Sequence, residues 1–69
     1  MNDNLIEVGS KIKTLREQFG YTQQEAAGAS RYSLRAWQLL ESGQIEPKVR
    51  HALAICQLLE TTVEEVWGA

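Results

Sequence analysis

The sequence holds one cysteine, Cys56, and one histidine, His51, and these residue types are common in redox chemistry and zinc binding. A single cysteine cannot form an intramolecular disulfide, and one cysteine with one histidine does not make a zinc set. Cys56 falls on an apolar helical stripe, which predicts a small buried hydrophobic residue, and His51 beside Arg50 is predicted to be an ordinary surface residue. There is no nucleophile–base pair and no phosphate-binding loop. The sequence therefore predicts a protein that is not an enzyme and that binds no metal, cofactor or small-molecule ligand.

The distribution of charge bears on a different function, the binding of anions, because the basic residues are concentrated in one part of the chain. The net charge is −2, but all seven lysines and arginines lie between Lys11 and Arg50. That span holds four acidic residues, so its local charge is +3. A phosphate backbone responds to the local field rather than to the net charge. The sequence is therefore compatible with a nucleic-acid partner, and equally with a mixed, solvated surface.

The length and hydropathy pattern limit the scaffold that can position these charges. Sixty-nine residues with 43% hydrophobic and 23% charged content predict one folded domain, residues 1–69, rather than a disordered chain. No apolar run is long enough for a membrane span and no signal-peptide pattern opens the chain, so we expect a soluble, cytoplasmic protein.

The apolar residues recur with a helical period throughout, which predicts an all-α fold. Thr22 with Glu25 matches a capping box, and Ser33 is typical of an N-cap. Gly20 and Gly43 indicate helix ends, and Pro47 indicates the first residue of a fourth helix. Either Thr61 or Thr62 is predicted to cap the last turn. The predicted helices are about 4–19, 22–29, 33–42, 47–59 and 62–67.

The segment from Thr22 to Gly43 is the most specific part of the sequence. A short capped helix, a connection of about four residues and a second capped helix with a buried Trp37–Leu40 ridge match the helix-turn-helix signature. On the third helix, Arg35, Leu39 and Ser42 are predicted to point away from that ridge, with Gln38 to one side.

The chain resembles the Cro/CI-like, XRE-type family of helix-turn-helix regulators over about residues 5–67. The resemblance is carried by an ordered set of motifs: Lys11-Ile12-Lys13, Leu15-Arg16-Glu17, Gly20, Thr22-Gln23, Glu25, Ala27, Ser33, Glu41-Ser42-Gly43, Pro47 and Val63-Glu64-Glu65-Val66. The run from Ser33 to Gln38, followed by Glu41-Ser42-Gly43, is most similar to short regulators common in phages and mobile elements. The resemblance implies a five-helix, lambda-repressor-like DNA-binding domain in a bacterial or phage-infected cell, associated with the nucleoid when bound.

The resemblance also implies roles for individual residues in binding double-stranded DNA. Helix three would lie in the major groove, where Arg35 could grip guanine and Gln38 could read adenine. Residues expected to reach bases are Arg31, Tyr32, Arg35, Gln38 and Leu39. Residues expected to contact phosphates are Gln23, Ser33, Gln44, Lys48 and Arg50. Gln23 could instead buttress helices two and three, and Lys48 and Arg50 could simply be solvated.

Four positions depart from the family pattern. Arg31 stands in the turn where glycine is usual, and a non-glycine residue at positive φ costs on the order of 1 kcal/mol. Ser30 and Ala26 replace large aliphatic residues, which predicts an underpacked helix two with Trp37 filling the space. Leu39 replaces a polar or basic residue, so it could touch a thymine methyl or mark a protein-binding surface.

Two function hypotheses follow. The first is a dimeric repressor or autoregulator reading a palindromic operator, because one such module contacts only a few base pairs. The wide apolar face of helix four and the C-terminal turn would then form the homodimer surface, with candidates Leu53, Leu58, Val63, Val66 and Trp67. The alternative is a protein-interaction module that kept the fold without DNA binding, suggested by the acidic pI and by Leu39.

Overall fold

The computed structural model describes residues 3–68 as an all-helical chain, with side chains described from residue 4 onward. The elements are five helices in sequence order: α1 (Asp3–Phe19), α2 (Gln23–Ala29), α3 (Leu34–Glu41), α4 (Val49–Leu58) and α5 (Val63–Trp67). The all-α prediction is therefore confirmed. Within residues 3–68, no helix is long and apolar enough to cross a membrane.

The helix boundaries follow the predicted capping residues, with one exception. The Thr22 hydroxyl accepts a hydrogen bond from the Glu25 amide while the Glu25 carboxylate accepts one from the Thr22 amide, which completes the capping box. Ser33 caps α3 through the Ala36 amide, and Thr62, rather than Thr61, caps α5.

The exception is Pro47, which is not the first residue of the fourth helix. Lys48 precedes that helix in an extended conformation, with φ −71° and ψ 161°, so α4 begins at Val49. No side chain caps this N-terminus. Pro47 belongs instead to the connection that leads from α3 to α4.

Trp37 lies at the centre of the core and is completely buried. The other core side chains come from all five helices: Val8, Ile12, Ala26, Ala27, Leu40, Ile55, Leu59 and Val66. Burial of large apolar side chains is the main stabilising term in a domain of this size. Ala26 and Ala27 are buried members of this cluster, so α2 contributes only small side chains to it. That Trp37 fills the space a larger residue of α2 would occupy stays a prediction.

The contact between α1 and α3 depends on Gly9. A Cβ atom at this position would lie 2.4 Å from the carbonyl oxygen of Glu41 and 2.6 Å from that of Leu40. Those oxygens belong to the α3 backbone, so the two helices can approach this closely only where α1 has no side chain. Gly9 therefore sets the position of α3 against the scaffold.

Candidate nucleic-acid interface

The third helix has one buried and one exposed face, which is the arrangement the sequence predicts. Trp37, Leu40 and Glu41 are buried, whereas Arg35 and Gln38 are exposed. Ser42 and Leu34 extend the exposed surface, and Leu34 is 42% exposed. The prediction for Leu39 is wrong in part: its side chain is half-buried and does not point directly outward. The exposed apolar residue on α3 is therefore Leu34.

A buried polar network anchors α3 to the rest of the domain. The Glu41 carboxylate accepts hydrogen bonds from Arg16 Nε at 2.6 Å, from Trp37 Nε1 at 2.6 Å and from Gln23 Nε2 at 3.0 Å. Arg16 Nη1 also donates to the Tyr21 carbonyl oxygen at 2.7 Å. Charge-assisted bonds of this kind are short and directional. The network ties α1, the α1–α2 loop, α2 and α3 together behind the exposed face of α3.

The sequence analysis did not predict this network, although it named most of the residues in it. Arg16 and Glu41 contributed only to the family resemblance. The signal that could have revealed the network is local: Trp37 and Glu41 are four residues apart, so they share one face of α3. An indole N–H and a carboxylate that share a buried helix face both require hydrogen-bond partners.

Gln23 connects this network to the exposed face of α3. Its amide nitrogen donates to Glu41, and its oxygen accepts a hydrogen bond from Gln38 Nε2 at 3.3 Å. The structure thus shows the buttress between α2 and α3 that sequence reasoning offered as one of two roles for Gln23. This hydrogen bond orients the Gln38 side chain on the outer surface. The Gln38 amide oxygen takes no part in the bond.

The turn between α2 and α3 contains two of the four departures from the family pattern, Ser30 and Arg31. Arg31 has φ 64°, the left-handed conformation in which glycine is usual. Ser30 is completely buried, and its hydroxyl has no hydrogen-bond partner within the described residues. Tyr32 is half-buried, and its ring lies edge-on to Trp37 with centroids 6.3 Å apart. Burial raises the pKa of Tyr32, because the charged phenolate would lose solvation.

His51 is not the ordinary surface residue that the sequence predicted. Its ring is half-buried, and its centroid lies 4.4 Å from that of Tyr32. Aromatic pairs at this separation are in contact. This tilted contact joins α4 to the turn that precedes α3, so His51 helps to position the start of that helix.

The residues predicted to contact phosphates lie at different places around α3. Ser33 is exposed at the N-terminus of α3, and Lys48 and Arg50 are exposed at the start of α4. Gln44 is exposed in the connection between these helices, where its Nε2 donates to the Ser42 hydroxyl at 2.9 Å. Two helix N-termini and two cationic side chains are therefore accessible, as anion contacts require.

The predicted dimer residues are only partly available at the surface. Val66 is 2% exposed and belongs to the core of the domain, so its assignment to a dimer surface is wrong. Leu58 and Trp67 are half-buried and pack against that core. Leu53 and Val63 are 54% and 36% exposed. Val49, which sequence reasoning did not select, is the most exposed large apolar residue on α4, at 77%.

Cys56 is buried, as the sequence predicts. Burial raises the pKa of its thiol, and the neighbouring negative charge of Glu64 raises it further. A thiol in this environment is poorly reactive. Among the described residues, no group of three or more His, Cys, Asp or Glu side chains could hold a metal ion.

Comparison with known proteins identifies the fold and the family. A family model described as a helix-turn-helix domain matches residues 7–67, which is most of the chain. An uncharacterized HTH-type transcriptional regulator of Bacillus subtilis, YgzD, is 34% identical over 61 residues, covering 84% of this chain and 88% of the relative. The chain belongs to the XRE-type helix-turn-helix family of transcriptional regulators.

Solved structures of regulators agree with this assignment. The clp gene regulator ClgR of Corynebacterium glutamicum matches with a TM-score of 0.84 and 28% identity, over 91% of this chain and 67% of that one. The restriction-modification controller protein C.AhdI of Aeromonas hydrophila matches with a TM-score of 0.85 over 93% of this chain and 97% of that one. The second match is 22% identical, so it supports the fold alone.

Proposed function

We propose that this helix-turn-helix regulator binds double-stranded DNA sequence-specifically, as a homodimer that inserts α3 into the major groove of a palindromic operator. Repression, including repression of its own gene, is the proposed outcome of that binding. The observation that carries the proposal is the exposed face of α3, where Arg35 and Gln38 project while Trp37, Leu40 and Glu41 are held in the core.

Arg35 and Gln38 supply the chemistry that major-groove recognition needs. An exposed guanidinium can donate two hydrogen bonds to guanine O6 and N7, and a glutamine amide can pair with adenine N6 and N7. Gln38 already donates to Gln23, so its orientation is partly set before DNA binds. Pre-ordering lowers the conformational entropy lost on binding. We assign Tyr32 and Leu39 a smaller role in contacting bases, because both side chains are half-buried.

Phosphate contacts would fix the register of α3 without reading sequence. Ser33 precedes the first turn of α3, and Gln44 and Lys48 belong to the connection that follows this helix in sequence. Arg50, at the start of α4, shares a groove with Arg31 from the turn before α3. Gln23 can contribute a phosphate contact only through the donor hydrogen that it does not use on Glu41.

The proposed dimer surface combines α4 and α5. Leu53 and Val63 are exposed apolar candidates, and Leu58 and Trp67 are half-buried. Exposed apolar area of this kind favours a second copy, since one helix-turn-helix module reaches only one half-site. Leu53→Glu and Val63→Glu would place a charge at this surface. We expect sedimentation equilibrium to show a weakened dimer for both variants. Lys13→Glu, at an exposed position of α1, is the control and should leave the dimer unchanged.

The deciding experiment is a selection from random duplexes, followed by titration of the enriched site at two salt concentrations. We expect an inverted repeat bound with steep salt dependence. Arg35→Ala should lose about 1–3 kcal/mol of base discrimination, roughly 5- to 150-fold, and should relax specificity at one position of each half-site. Lys13→Ala should retain the operator preference, because Lys13 lies on α1, away from the exposed face of α3.

The outcomes separate this proposal from the interaction-module alternative. Enrichment of no sequence at low salt, with a folded protein, would contradict operator reading. Binding of a protein partner through Leu34 or Leu53, with no dependence on salt, would then favour the interaction module. Unchanged specificity in Arg35→Ala would refute the role of Arg35 while leaving DNA binding itself intact.

A further inference from the structure

A groove between α1 and α5 lies away from the exposed face of α3. Its volume is about 410 Å³, and Lys11, Thr14 and Leu15 line it from α1. At about 100° per residue, these three side chains lie roughly 120–160° around α1 from Gly9, the residue that contacts the α3 backbone. A molecule seated in this groove would therefore not compete for the exposed face of α3.

The buried part of the groove lining is apolar. Val66 is 2% exposed and belongs to the core, and Leu15 is half-buried and packs against that core. Apolar surface that remains open to a groove is stabilised when an aliphatic group covers it. The lining therefore suits an occupant with an aliphatic part.

The exposed part of the same lining is acidic. Glu60 and Glu65 are both exposed there. Both ion pairs found within residues 3–68 involve Arg16, so neither carboxylate is paired with a cationic side chain in that part of the chain. The one cation of the lining is Lys11, whose Nζ lies 3.5 Å from the Glu65 carbonyl oxygen rather than from a carboxylate oxygen. The lining therefore carries a net negative charge beside apolar surface.

The sequence around the groove adds to this field. No lysine or arginine follows Arg50, so the formally charged side chains beyond residue 51 are all glutamates. The basic residues lie in the other part of the chain, between Lys11 and Arg50. A local field of one sign attracts a partner of the opposite sign.

We propose that this groove binds a basic segment of a protein partner, with one lysine or arginine side chain seated between α1 and α5. The aliphatic stem of such a side chain would cover Leu15 and Val66, while its charged head stays near water. The head would face the Glu60 and Glu65 carboxylates. Glu65 accepts a hydrogen bond from the Thr61 hydroxyl at 2.9 Å, which orients its carboxylate and leaves further lone pairs for a cation. The proposal concerns α1 and α5 and does not rest on operator reading by α3.

The test is a selection of peptides from a random displayed library on the folded protein, with counter-selection on the Glu60→Gly/Glu65→Gln double variant. We expect the recovered peptides to share a lysine or arginine next to aliphatic residues. A recovered peptide, titrated into isotope-labelled protein, should shift the backbone amide NMR signals of residues 11–15 and 60–66 saturably and leave those of α3 in place. Its affinity should fall as salt rises, because exposed charges are screened.

Single variants separate the charge of the groove from its shape. Glu60→Gly removes a carboxylate and relieves the positive φ of 53°, so it should fold at least as well as the parent chain. Glu65→Gln keeps an oxygen that can accept from the Thr61 hydroxyl. Each variant should weaken peptide binding about two- to fivefold. Thr14→Trp places an indole in the groove from an exposed position and should abolish binding.

Two variants outside the lining are matched controls. Glu46→Gln removes one exposed carboxylate, and Gln18→Trp adds one indole at an exposed position of α1. Both should leave the affinity for the peptide within about twofold of the parent chain. Recovery of no basic peptide, or full binding by the three groove variants, would overturn the proposal. Shifts at the same amides that grow with protein concentration in the absence of peptide would assign the groove to a second copy of this chain, which also contradicts it.

Discussion

Replacing Glu41 by glutamine tests whether the buried network holds α3 in place. The substitution keeps the size of the side chain and removes its charge. Arg16 is 8% exposed and Glu41 is 9% exposed, so the arginine would lose its buried carboxylate partner and keep only the exposed Glu17, 3.8 Å from Nη2. The new amide group would also face the Arg16, Trp37 and Gln23 donors with hydrogens of its own.

The magnitude follows from burial. Removing one partner of a buried ion pair costs about 3–5 kcal/mol, because the remaining charge is uncompensated. At about 0.05–0.15 kcal/mol per residue, a domain of this length has a total stability of roughly 3–10 kcal/mol. Glu41→Gln should therefore remove a third or more of the free energy of unfolding, and could leave the domain largely unfolded at 37 °C.

The chain provides a matched control on the same arginine. Glu17 also pairs with Arg16, at 3.8 Å from Nη2, but its side chain is 57% exposed. An exposed pair of this kind contributes little, so Glu17→Gln should change stability by less than about 0.5 kcal/mol. Both variants remove one negative charge, and they differ chiefly in the burial of the pair.

Urea unfolding followed by far-ultraviolet circular dichroism measures the difference directly. The midpoint should fall strongly in Glu41→Gln and stay close to wild type in Glu17→Gln, with similar slopes. A loss below about 1 kcal/mol in Glu41→Gln, or equal losses in the two variants, would refute the argument that this network anchors the helix.

Four further predictions concern packing and titration. Ser30→Ala should stabilise the fold by about 1 kcal/mol, since it removes a buried hydroxyl without a partner, and should raise Tm by about 4–8 °C in a thermal melt. Gly9→Ala should destabilise by about 1–3 kcal/mol or more, because its Cβ would meet the α3 backbone. Gly28→Ala, with nothing within 4 Å, should stabilise α2 by about 0.5–1 kcal/mol in the same urea assay; equal effects at the two glycines would contradict the packing argument. The raised pKa of Cys56 stabilises the fold fully below the unfolded thiol value of 9.0, and this contribution is lost as the pH rises through the higher folded value. Stability measured from pH 7 to 11 should therefore fall more steeply in wild type than in Cys56→Ala, and identical profiles would refute the shift.

Much of the fold is encoded locally, which explains why sequence reasoning recovered it. Capping hydroxyls at Thr22 and Ser33 act on amides only three residues away, so helix starts are readable from short patterns. The burial of Trp37 and the exposure of Arg35 follow from the helical period alone. The start of α4 was less predictable, because proline tolerates both the first helical position and the extended segment before it.

What the sequence by itself determined was therefore the helices, their polar and apolar faces, and the order of motifs that marks the family. The tertiary structure decided which distant residues meet: Arg16 with Glu41, Tyr32 with His51, and Arg31 with Arg50 across one groove. The tertiary structure also places Val66 in the core and not on the predicted dimer surface. Periodicity specifies the face of a helix, but the partner of that face depends on how helices pack, and no local pattern encodes that packing.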